Sequence, residues 1–324
     1  MEALKKYQEI FHEQFDALRF DQKKPSELYG PIDYLLQLGG KRLRPLVSLM
    51  ACDIFGGTIQ KAVKPSIAIE LFHNFTLMHD DIMDSAPLRR GRTTVHEKYD
   101  VNTAILSGDA LLIQSYQFFE DLEPHLFKEV ISLFSATAAK LCEGQQYDMN
   151  FMQQSEVDLD EYLDMIKKKT GVLTAAAFKI GAIIAQASPE DADRIYQFGE
   201  NLGIAFQLKD DLLDIFGEKS AVGKKQAGDI FENKKTILFI KALEKGNEQQ
   251  IKELKYWYSI TAENIDKIYA VERIFKQLKV DLLVSEMIDE YTQKAQNFIE
   301  QIEGHKISKD ILFEFSDRLI SRRY

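Results

Sequence analysis

The chain has 324 residues and a formal net charge of -10, with 45% hydrophobic and 28% charged residues. This ordinary globular composition excludes a disordered chain and supplies enough apolar side chains for a large core. The negative charge argues against a general nucleic-acid surface, because a phosphate polymer would be repelled. No stretch approaches the roughly 18 uncharged apolar residues of a membrane span, and the start lacks the apolar run of a signal peptide. We therefore expect a cytoplasmic protein without an integral membrane segment.

Apolar residues recur at helical intervals along the chain. They include Leu46, Leu49, Met50 and Ile54, then Ile67, Leu71 and Phe75, then Leu111, Leu112, Tyr116 and Phe119, and then Leu202, Phe206 and Leu208. Residues that end one helix and start the next fall between these patterns, at Gly56, Gly57, Pro65, Pro87, Gly91, Pro124 and Pro189. Strand alternation is scarce. The pattern predicts an all-α helical bundle, and since no Pro, Gly or Ser-rich linker divides it, one domain over residues 1–324.

Two features of the chain suggest packing rather than chemistry. From Tyr256 onward the helical spacing continues without residues that point to a site, so we assign this last part to packing. Cys52 and Cys142 lie in apolar segments without a metal-ligand partner nearby, which predicts reduced core thiols rather than zinc ligands or a disulfide.

The motif Asp-Asp-x-x-Asp occurs twice within an apolar helical pattern. Its first copy is Asp80, Asp81 and Asp84, and its second is Asp210, Asp211 and Asp214. Side chains three or four residues apart share one side of a helix, and two carboxylates about 4 Å apart repel by roughly 4 kcal/mol at an effective dielectric near 20. One such motif could be a solvated helix face or an end cap. Two of them predict a bound cation, and their hard oxygen donors favour Mg²⁺, which shares its ligands with phosphate.

Basic residues cluster at several places along this acidic chain. The clusters are Lys41–Arg44, Arg89–Arg92, Lys167–Lys169, Lys224–Lys225 and Lys234–Lys235. Such clusters are often solvated helix ends, but beside the aspartate motifs they suit a polyanion bridged by magnesium, and diphosphate is a natural candidate. The chain has neither the Gly-x-x-x-x-Gly-Lys-Ser/Thr loop of nucleotide hydrolases nor a Gly-x-Gly-x-x-Gly turn, which disfavours nucleotide chemistry.

These motifs occur in an order that resembles the trans-isoprenyl diphosphate synthases. The matching segments are Gly40–Pro45, His73, Asp80–Asp84, Arg89–Gly91, Gly108–Leu112, Glu143–Asp148, Lys169–Gly171, Phe206–Asp214, Gly223–Lys224 and Gly228–Thr236. One departure is Asn233, where many relatives have glycine. The resemblance implies a helical bundle around a central cavity, a homodimer, and the addition of isopentenyl diphosphate to an allylic diphosphate with three Mg²⁺ per active site.

The resemblance also implies a role for each residue at the allylic diphosphate. Asp80, Asp84 and Asp210 would bind the metal ions, while Asp81, Asp211 and Asp214 would hold ligands or metal-bound water. Direct contacts to this diphosphate are implied for Arg89, Lys169, Lys224 and Lys234. Thr170 and Gln207 would present oxygen dipoles to the ionised allylic carbon, although Thr170 could equally pack between helices.

A separate, metal-free site for isopentenyl diphosphate is implied for Lys41, Arg44, His73 and Arg90. A lone histidine is often a core residue, but His73 precedes Asp80 by two turns of the same predicted helix. The released diphosphate is the expected base for the last proton, and no protein nucleophile is required.

Product length should depend on residues upstream of the first aspartate motif, since the tail extends away from the charges. Phe75 lies roughly 7.5 Å before Asp80 at about 1.5 Å per residue, and we expect its ring to stop the tail, with Phe72 as a deeper barrier. The small Thr76 leaves the upper cavity open. Phe75 could instead be a core aromatic that faces a neighbouring helix. We expect C20 geranylgeranyl diphosphate, with C15 farnesyl diphosphate or a longer product as the alternatives.

Two other classes of protein share parts of this pattern. A terpene cyclase or a head-to-head condensing enzyme has the first aspartate motif, but a cyclase usually lacks the second and does not need Lys41, Arg44 and Arg90. A non-catalytic subunit of a heteromeric synthase loses aspartate motifs, and both are intact here.

Overall fold

The computed structural model describes residues 2–217, 227–260, 264–303 and 306–321, and nearly all of them are helical. The helices are α1 (Glu2–Phe15), α2 (Ser26–Gln37), α3 (Leu43–Ile54), α4 (Ile59–Met83), α5 (Val95–Lys98), α6 (Val101–Gln117), α7 (Pro124–Gln153), α8 (Leu159–Ile166), α9 (Val172–Ile184), α10 (Pro189–Phe216), α11 (Gly228–Phe231), α12 (Ile237–Lys245), α13 (Glu248–Tyr258), α14 (Ile265–Leu278), α15 (Val280–Glu300) and α16 (Lys306–Ser321). A 3-10 turn spans Phe20–Gln22 and a π-helical turn spans Lys167–Gly171. The all-α prediction is confirmed.

Most of the predicted helix boundaries agree with the structure. Pro124 and Pro189 are the first residues of α7 and α10, where a missing N–H costs nothing. The prediction was wrong for Pro65, which lies inside α4. An interior proline removes one helix hydrogen bond, but Pro65 and its neighbour Ser66 are buried, and the Ser66 hydroxyl donates to the Val63 carbonyl at 2.7 Å. Packing of the buried residues therefore compensates for the lost hydrogen bond, and α4 continues as a helix past Pro65.

Two short strands interrupt the helices, and their alternation was too brief to see in the sequence. Strands β1 (Leu88–Arg89) and β2 (Arg92–Thr93) pair antiparallel, with Arg89 opposite Arg92. The two residues between them, Arg90 and Gly91, have φ of 53° and 75°. Positive φ at both central positions is what a type I′ hairpin turn requires.

The described contacts divide the chain into two compact units. The first consists of Met1–Ser135, Ala176–Ile195 and Glu303–Ile311. In this unit α4 packs against α3 and α6, and both partners contribute fully buried side chains such as Leu49 and Leu111. The 25-residue α4 is the longest helix that lies wholly in this unit, and it carries the first aspartate motif at its C-terminal end.

The second unit consists of Ala136–Ala175, Tyr196–Ile302 and Leu312–Tyr324. Its core brings together Leu208 and Ile215 of α10 with Leu238 of α12, Phe275 of α14 and Val284 of α15. Helix α8 begins with a capping box in which Asp158 and Glu161 satisfy each other's backbone N–H groups. This cap fixes the start of the segment that leads into the π-helical turn.

Other predictions about the fold have mixed outcomes. Cys52 is buried as predicted, but Cys142 is exposed, because it lies on a solvent-facing position of α7. Within the described ranges, no helix is both long enough and apolar enough to cross a membrane. A single domain over residues 1–324 stays a prediction.

Candidate active site

The first aspartate motif closes the C-terminal end of α4. The Asp84 N–H donates to the Asp80 carbonyl at 2.8 Å, so the last turn of the helix extends to Asp84. Asp80 is half-buried and Asp84 is exposed, whereas Asp81 is only 2% exposed. The motif therefore presents two carboxylates outward and directs the third into the protein.

The buried carboxylate of Asp81 is paired with an arginine from the hairpin. Arg89 donates from Nε and Nη2 to the two Asp81 oxygens, both at 2.7 Å, which is a bidentate pair. The next residue, Arg90, donates from Nη1 to the Gly39 carbonyl in the loop before α3. At the type I′ turn, the consecutive residues Arg89 and Arg90 therefore bind different partners, Asp81 and the Gly39 carbonyl. In this structure the Arg89 guanidinium binds Asp81. The contact between Arg89 and a diphosphate, which the resemblance implies, stays a prediction.

Arg44 and His73 lie side by side in the same unit. The Arg44 Nη1 donates to His73 Nε2 at 3.1 Å. Burial, and then the positive charges of Arg44 and Arg90, hold the pKa of His73 well below its usual range. Arginine side chains beside a neutral imidazole can donate hydrogen bonds to an anion. Lys41, the fourth residue predicted for the isopentenyl diphosphate site, is exposed.

The segment between Lys41 and the start of α3 is anchored by a residue without a predicted role. Arg42 has φ of 47°, and its guanidinium forms a buried ion pair with Glu70 of α4. Asn74 Nδ2 also donates to the Glu70 carboxylate at 3.0 Å, and Arg42 Nη2 donates to the Leu36 carbonyl at 2.6 Å. Removing either charge would leave the other buried without its ionic partner, which is costly.

The π-helical turn of the second unit carries Lys169 and Thr170. Lys169 Nζ donates to Asp148 of α7 at 2.5 Å. Close approach of the two backbones depends on Gly144, since a Cβ there would lie 2.5 Å from the Lys169 nitrogen. Insertions of this π type are frequent at functional sites. The spacing of apolar residues does not predict this turn, because its sequence contains no large apolar side chain.

A continuous series of hydrogen bonds links Thr170 to the second aspartate motif. The Thr170 hydroxyl donates to Gln207 Oε1 at 3.0 Å, and Gln207 Nε2 donates to Asp211 at 3.0 Å. The other Asp211 oxygen accepts from the hydroxyl of Tyr162, which is 2% exposed. Burial raises the pKa of Asp211 to about 6, and hydrogen bonds from Tyr162 and Gln207 oppose that rise. Tyr162 had no sequence signal beyond an apolar position on a helix.

A cavity of about 220 Å³ opens beside these residues. It is lined by the predicted residues Lys169, Thr170, Gln207, Asp210, Asp211, Asp214 and Lys234. Residues without a predicted role also line it, namely Asp148, Phe151, Met152, Tyr162, Met165, Ile166, Asp229, Lys235 and Thr236. The structure thus brings together every predicted site residue of this unit that it describes. Lys224 lies outside the described residues.

Asp229 is a strongly perturbed acid in the cavity. Its N–H donates to Asp214 Oδ2 at 3.0 Å, and burial followed by the charges of Asp211 and Asp214 raises the pKa of its carboxyl well above the usual range. Lys234 Nζ forms an ion pair with Glu232 at 2.8 Å. Five aspartates and three lysines line this cavity, and the excess of carboxylates favours a bound cation.

The donor chemistry of both units fits a divalent cation. Asp80 and Asp84, like Asp210 and Asp214, are one helical turn apart and offer hard oxygens, the ligands that magnesium prefers. The buried Thr236 hydroxyl in the cavity has no hydrogen-bond partner. In the described part of the chain, no three acidic, imidazole or thiol groups enclose an ion by themselves.

The residues predicted to control product length occupy two faces of α4. The Phe75 ring lies 4.8 Å from the His79 ring and 5.5 Å from the Phe72 ring, and His79 Nε2 is 3.1 Å from the Ile105 carbonyl of α6. At about 100° per residue, Phe75 is roughly 140° around α4 from Asp80, whereas Thr76 is about 40° away. Both ring contacts of Phe75 are with residues of α4 itself. The role of Phe75 as the floor stays a prediction.

Comparison with known proteins identifies the family. Residues 25–277 match the polyprenyl synthetase family, to which the chain therefore belongs. The geranylgeranyl diphosphate synthase of Methanosarcina mazei is 35% identical over 303 residues, covering 93% of this chain and 91% of that protein. The geranylfarnesyl diphosphate synthase of Natronomonas pharaonis is 37% identical over 242 residues, covering 69% of this chain and 71% of that protein. A crystal structure of a geranylgeranyl pyrophosphate synthase superimposes with a TM-score of 0.94 at 44% identity, covering 99% of both chains.

Membership of this family makes the chain a prenyltransferase with an isoprenoid synthase fold. Such enzymes act on isoprenyl diphosphates, and they bind the diphosphate with the help of divalent metal ions. The hard-oxygen clusters and the adjacent lysines agree with this chemistry.

Proposed function

We propose that the chain condenses isopentenyl diphosphate with an allylic diphosphate, head to tail and in the trans configuration, and that geranylgeranyl diphosphate is its main product. The observation that carries the proposal is the cavity in which Asp210 and Asp214 stand beside Lys169 and Lys234. Paired carboxylates with adjacent cations suit a metal-bound diphosphate. The geranylgeranyl diphosphate synthases among the relatives support the C20 product.

In this proposal Asp80, Asp84 and Asp210 hold the magnesium ions, three per active site, at the allylic diphosphate. Bound magnesium would offset the charge that builds on the departing diphosphate. Asp81 and Asp211 act by positioning, since Arg89 occupies the first carboxylate and Tyr162 and Gln207 occupy the second. Lysine and arginine side chains bind the outer phosphate oxygens, and Asp214 orients bound ligands.

The isopentenyl diphosphate site is proposed at Lys41, Arg44, His73 and Arg90. Support comes from the contact between Arg44 and a buried His73, whose pKa is lowered by burial and by the positive charges of Arg44 and Arg90. Arginine side chains beside a neutral imidazole would bind a diphosphate without metal.

Thr170 and Gln207 are proposed to face the allylic carbon as the carbon–oxygen bond breaks. Each of their oxygens takes part in one hydrogen bond and retains a lone pair for the developing positive charge. The double bond of isopentenyl diphosphate attacks that carbon, and the released diphosphate takes the last proton. No side chain needs to act as a nucleophile.

The product could also be shorter or longer than C20. The geranylfarnesyl diphosphate synthase among the relatives makes a longer product a specific alternative. Thr76 lies on the Asp80 side of α4 and is 7% exposed, so its replacement by phenylalanine should fill space near the motif and shorten the product. C15 farnesyl diphosphate is the shorter alternative.

We further propose a homodimer in the cytoplasm. Helix α6 exposes Leu106 at 60% and Ile113 at 59%, seven residues apart and therefore on one face. A second copy of the chain would cover this apolar face. Light scattering should give twice the chain mass, and Leu106→Asp should lower that mass.

One assay tests the proposed function. The purified chain is incubated with Mg²⁺, labelled isopentenyl diphosphate and dimethylallyl, geranyl or farnesyl diphosphate, and the products are separated by chromatography. We expect labelled C20 product and none after EDTA. A terpene hydrocarbon would indicate a cyclase, and no turnover by the folded protein alone would indicate a non-catalytic subunit.

A further inference from the structure

The last part of the chain, which the sequence assigned to packing, contains a lysine with no exposed surface. Lys267 of α14 is 0% exposed. Among the described residues no carboxylate forms an ion pair with it, and burial followed by the charge of Lys235 lowers its pKa. Burying a charge is costly unless strong hydrogen bonds compensate for it. The contacts of Lys267 therefore indicate what it stabilises.

Those contacts form a closed triangle. Lys267 Nζ donates to Asn233 Oδ1 at 2.6 Å and to the Ile260 carbonyl at 3.0 Å. Asn233 Nδ2 donates to the same Ile260 carbonyl at 3.1 Å. Lys267 thus holds both the side chain of Asn233 and the backbone that follows α13.

Asn233 occupies a demanding position in the turn after α11. Its φ is 59°, its N–H donates to the Ile230 carbonyl at 3.3 Å, and the Lys234 N–H donates to the Asp229 carbonyl at 2.9 Å. This pattern is a Schellman motif with asparagine at the position that usually carries glycine. Left-handed backbone is unfavourable for most side chains, but asparagine tolerates it, and here its amide gains two partners.

The turn leads directly into the cavity. Lys234, Lys235 and Thr236 follow Asn233 without interruption, and all three line the cavity. Lys267 Nζ also lies 5.8 Å from the ring centroid of Tyr258. Burial raises the pKa of the Tyr258 hydroxyl, and the negative charges of Asp229 and Asp214 raise it further. Lys267 therefore lies next to residues that adjoin the acidic cavity and does not line the cavity itself.

We propose that Lys267 is a positioning residue, which fixes the 232–236 turn through Asn233 and so directs Lys234 toward the allylic diphosphate. This inference rests on the proposed function, since it assigns Lys234 to that substrate. Glycine, the usual residue at this position of a Schellman motif, has no side chain to anchor, whereas the asparagine of this chain is anchored.

The test compares Lys267→Met, Asn233→Gly and their combination by steady-state kinetics of the full chain with Mg²⁺. Either single change should raise the KM for the allylic diphosphate about tenfold and the KM for isopentenyl diphosphate less than twofold. Because both act on one turn, the double variant should resemble the single variants instead of multiplying their effects. Lys276→Met on α14, whose lysine is exposed, is the matched control and should resemble the wild type.

Three results separate the possibilities. Unchanged allylic KM values in folded Lys267→Met, or multiplicative effects in the double variant, would overturn the proposal. Should Lys267→Met fail to fold, Asn233→Gly alone decides, and an unchanged allylic KM would again refute it. Lys234→Ala tests the proposed function separately: if it does not raise the allylic KM, the assignment of Lys234 fails, whatever Lys267 does.

Discussion

Gly144 allows α7 to pack against the π-helical turn, and replacing it with alanine should damage activity more than stability. The added Cβ would lie 2.5 Å from the Lys169 nitrogen and 2.8 Å from the Lys168 carbonyl carbon. Comfortable separations are about 3.5 Å, so the backbones must part by about 1 Å. Overpacking of this kind costs roughly 1–3 kcal/mol of the free energy of unfolding.

The displaced turn carries Lys169 and Thr170, both of which line the cavity. A misplacement of about 1 Å can lower turnover by about 100-fold, because the catalytic groups lose alignment with the substrate. We therefore expect kcat of Gly144→Ala to fall by one to two orders of magnitude, with urea unfolding still cooperative.

The matched control is Gly30→Ala in α2, where an added Cβ meets no atom within 4 Å beyond its two neighbours in the chain and the nearby backbone of the helix. This variant should leave kcat unchanged, because Gly30 does not line the cavity. Wild-type kcat in Gly144→Ala would refute the argument. An equal fall of kcat in both variants would show that the effect is not specific to the turn.

Four further predictions concern single residues. Asp84→Ala should lower turnover by several orders of magnitude without unfolding the protein, and near-normal turnover would refute its assignment as a metal ligand. Arg90→Ala should raise the KM for isopentenyl diphosphate more than the KM for the allylic substrate, whereas Lys224→Ala should do the reverse; equal effects would contradict two separate sites. Phe75→Ala should lengthen the product if its ring is the floor, and an unchanged chromatogram from an active variant would support packing alone. The pKa of His73 is lowered in the folded state, so below about pH 6.5 the unfolded chain binds more protons than the folded chain. The free energy of unfolding should therefore decrease as the pH is lowered, and His73→Asn should lose less of it than the wild type between about pH 6.5 and 5.

Local patterns in the sequence determined the helical architecture and much of the site. Helix periodicity depends on residues three and four apart, and Pro124 and Pro189 mark helix starts through their own covalent geometry. The aspartate motifs were also readable, because paired carboxylates in an apolar helix need a cation wherever they fold. That requirement made Asp210 and Asp214 candidate residues before any contact was known.

Contacts between distant parts of the chain decided the rest. Pro65 stays helical because its surroundings are buried, and Asp81 turns inward to meet Arg89 instead of facing out with Asp80. The burial of Lys267 depends on Asn233, 34 positions earlier in the chain. The sequences around Lys267 and Asn233 do not predict this contact. The cost of burying the lysine charge, and the hydrogen bonds that offset it, arise only when tertiary structure brings the two residues together.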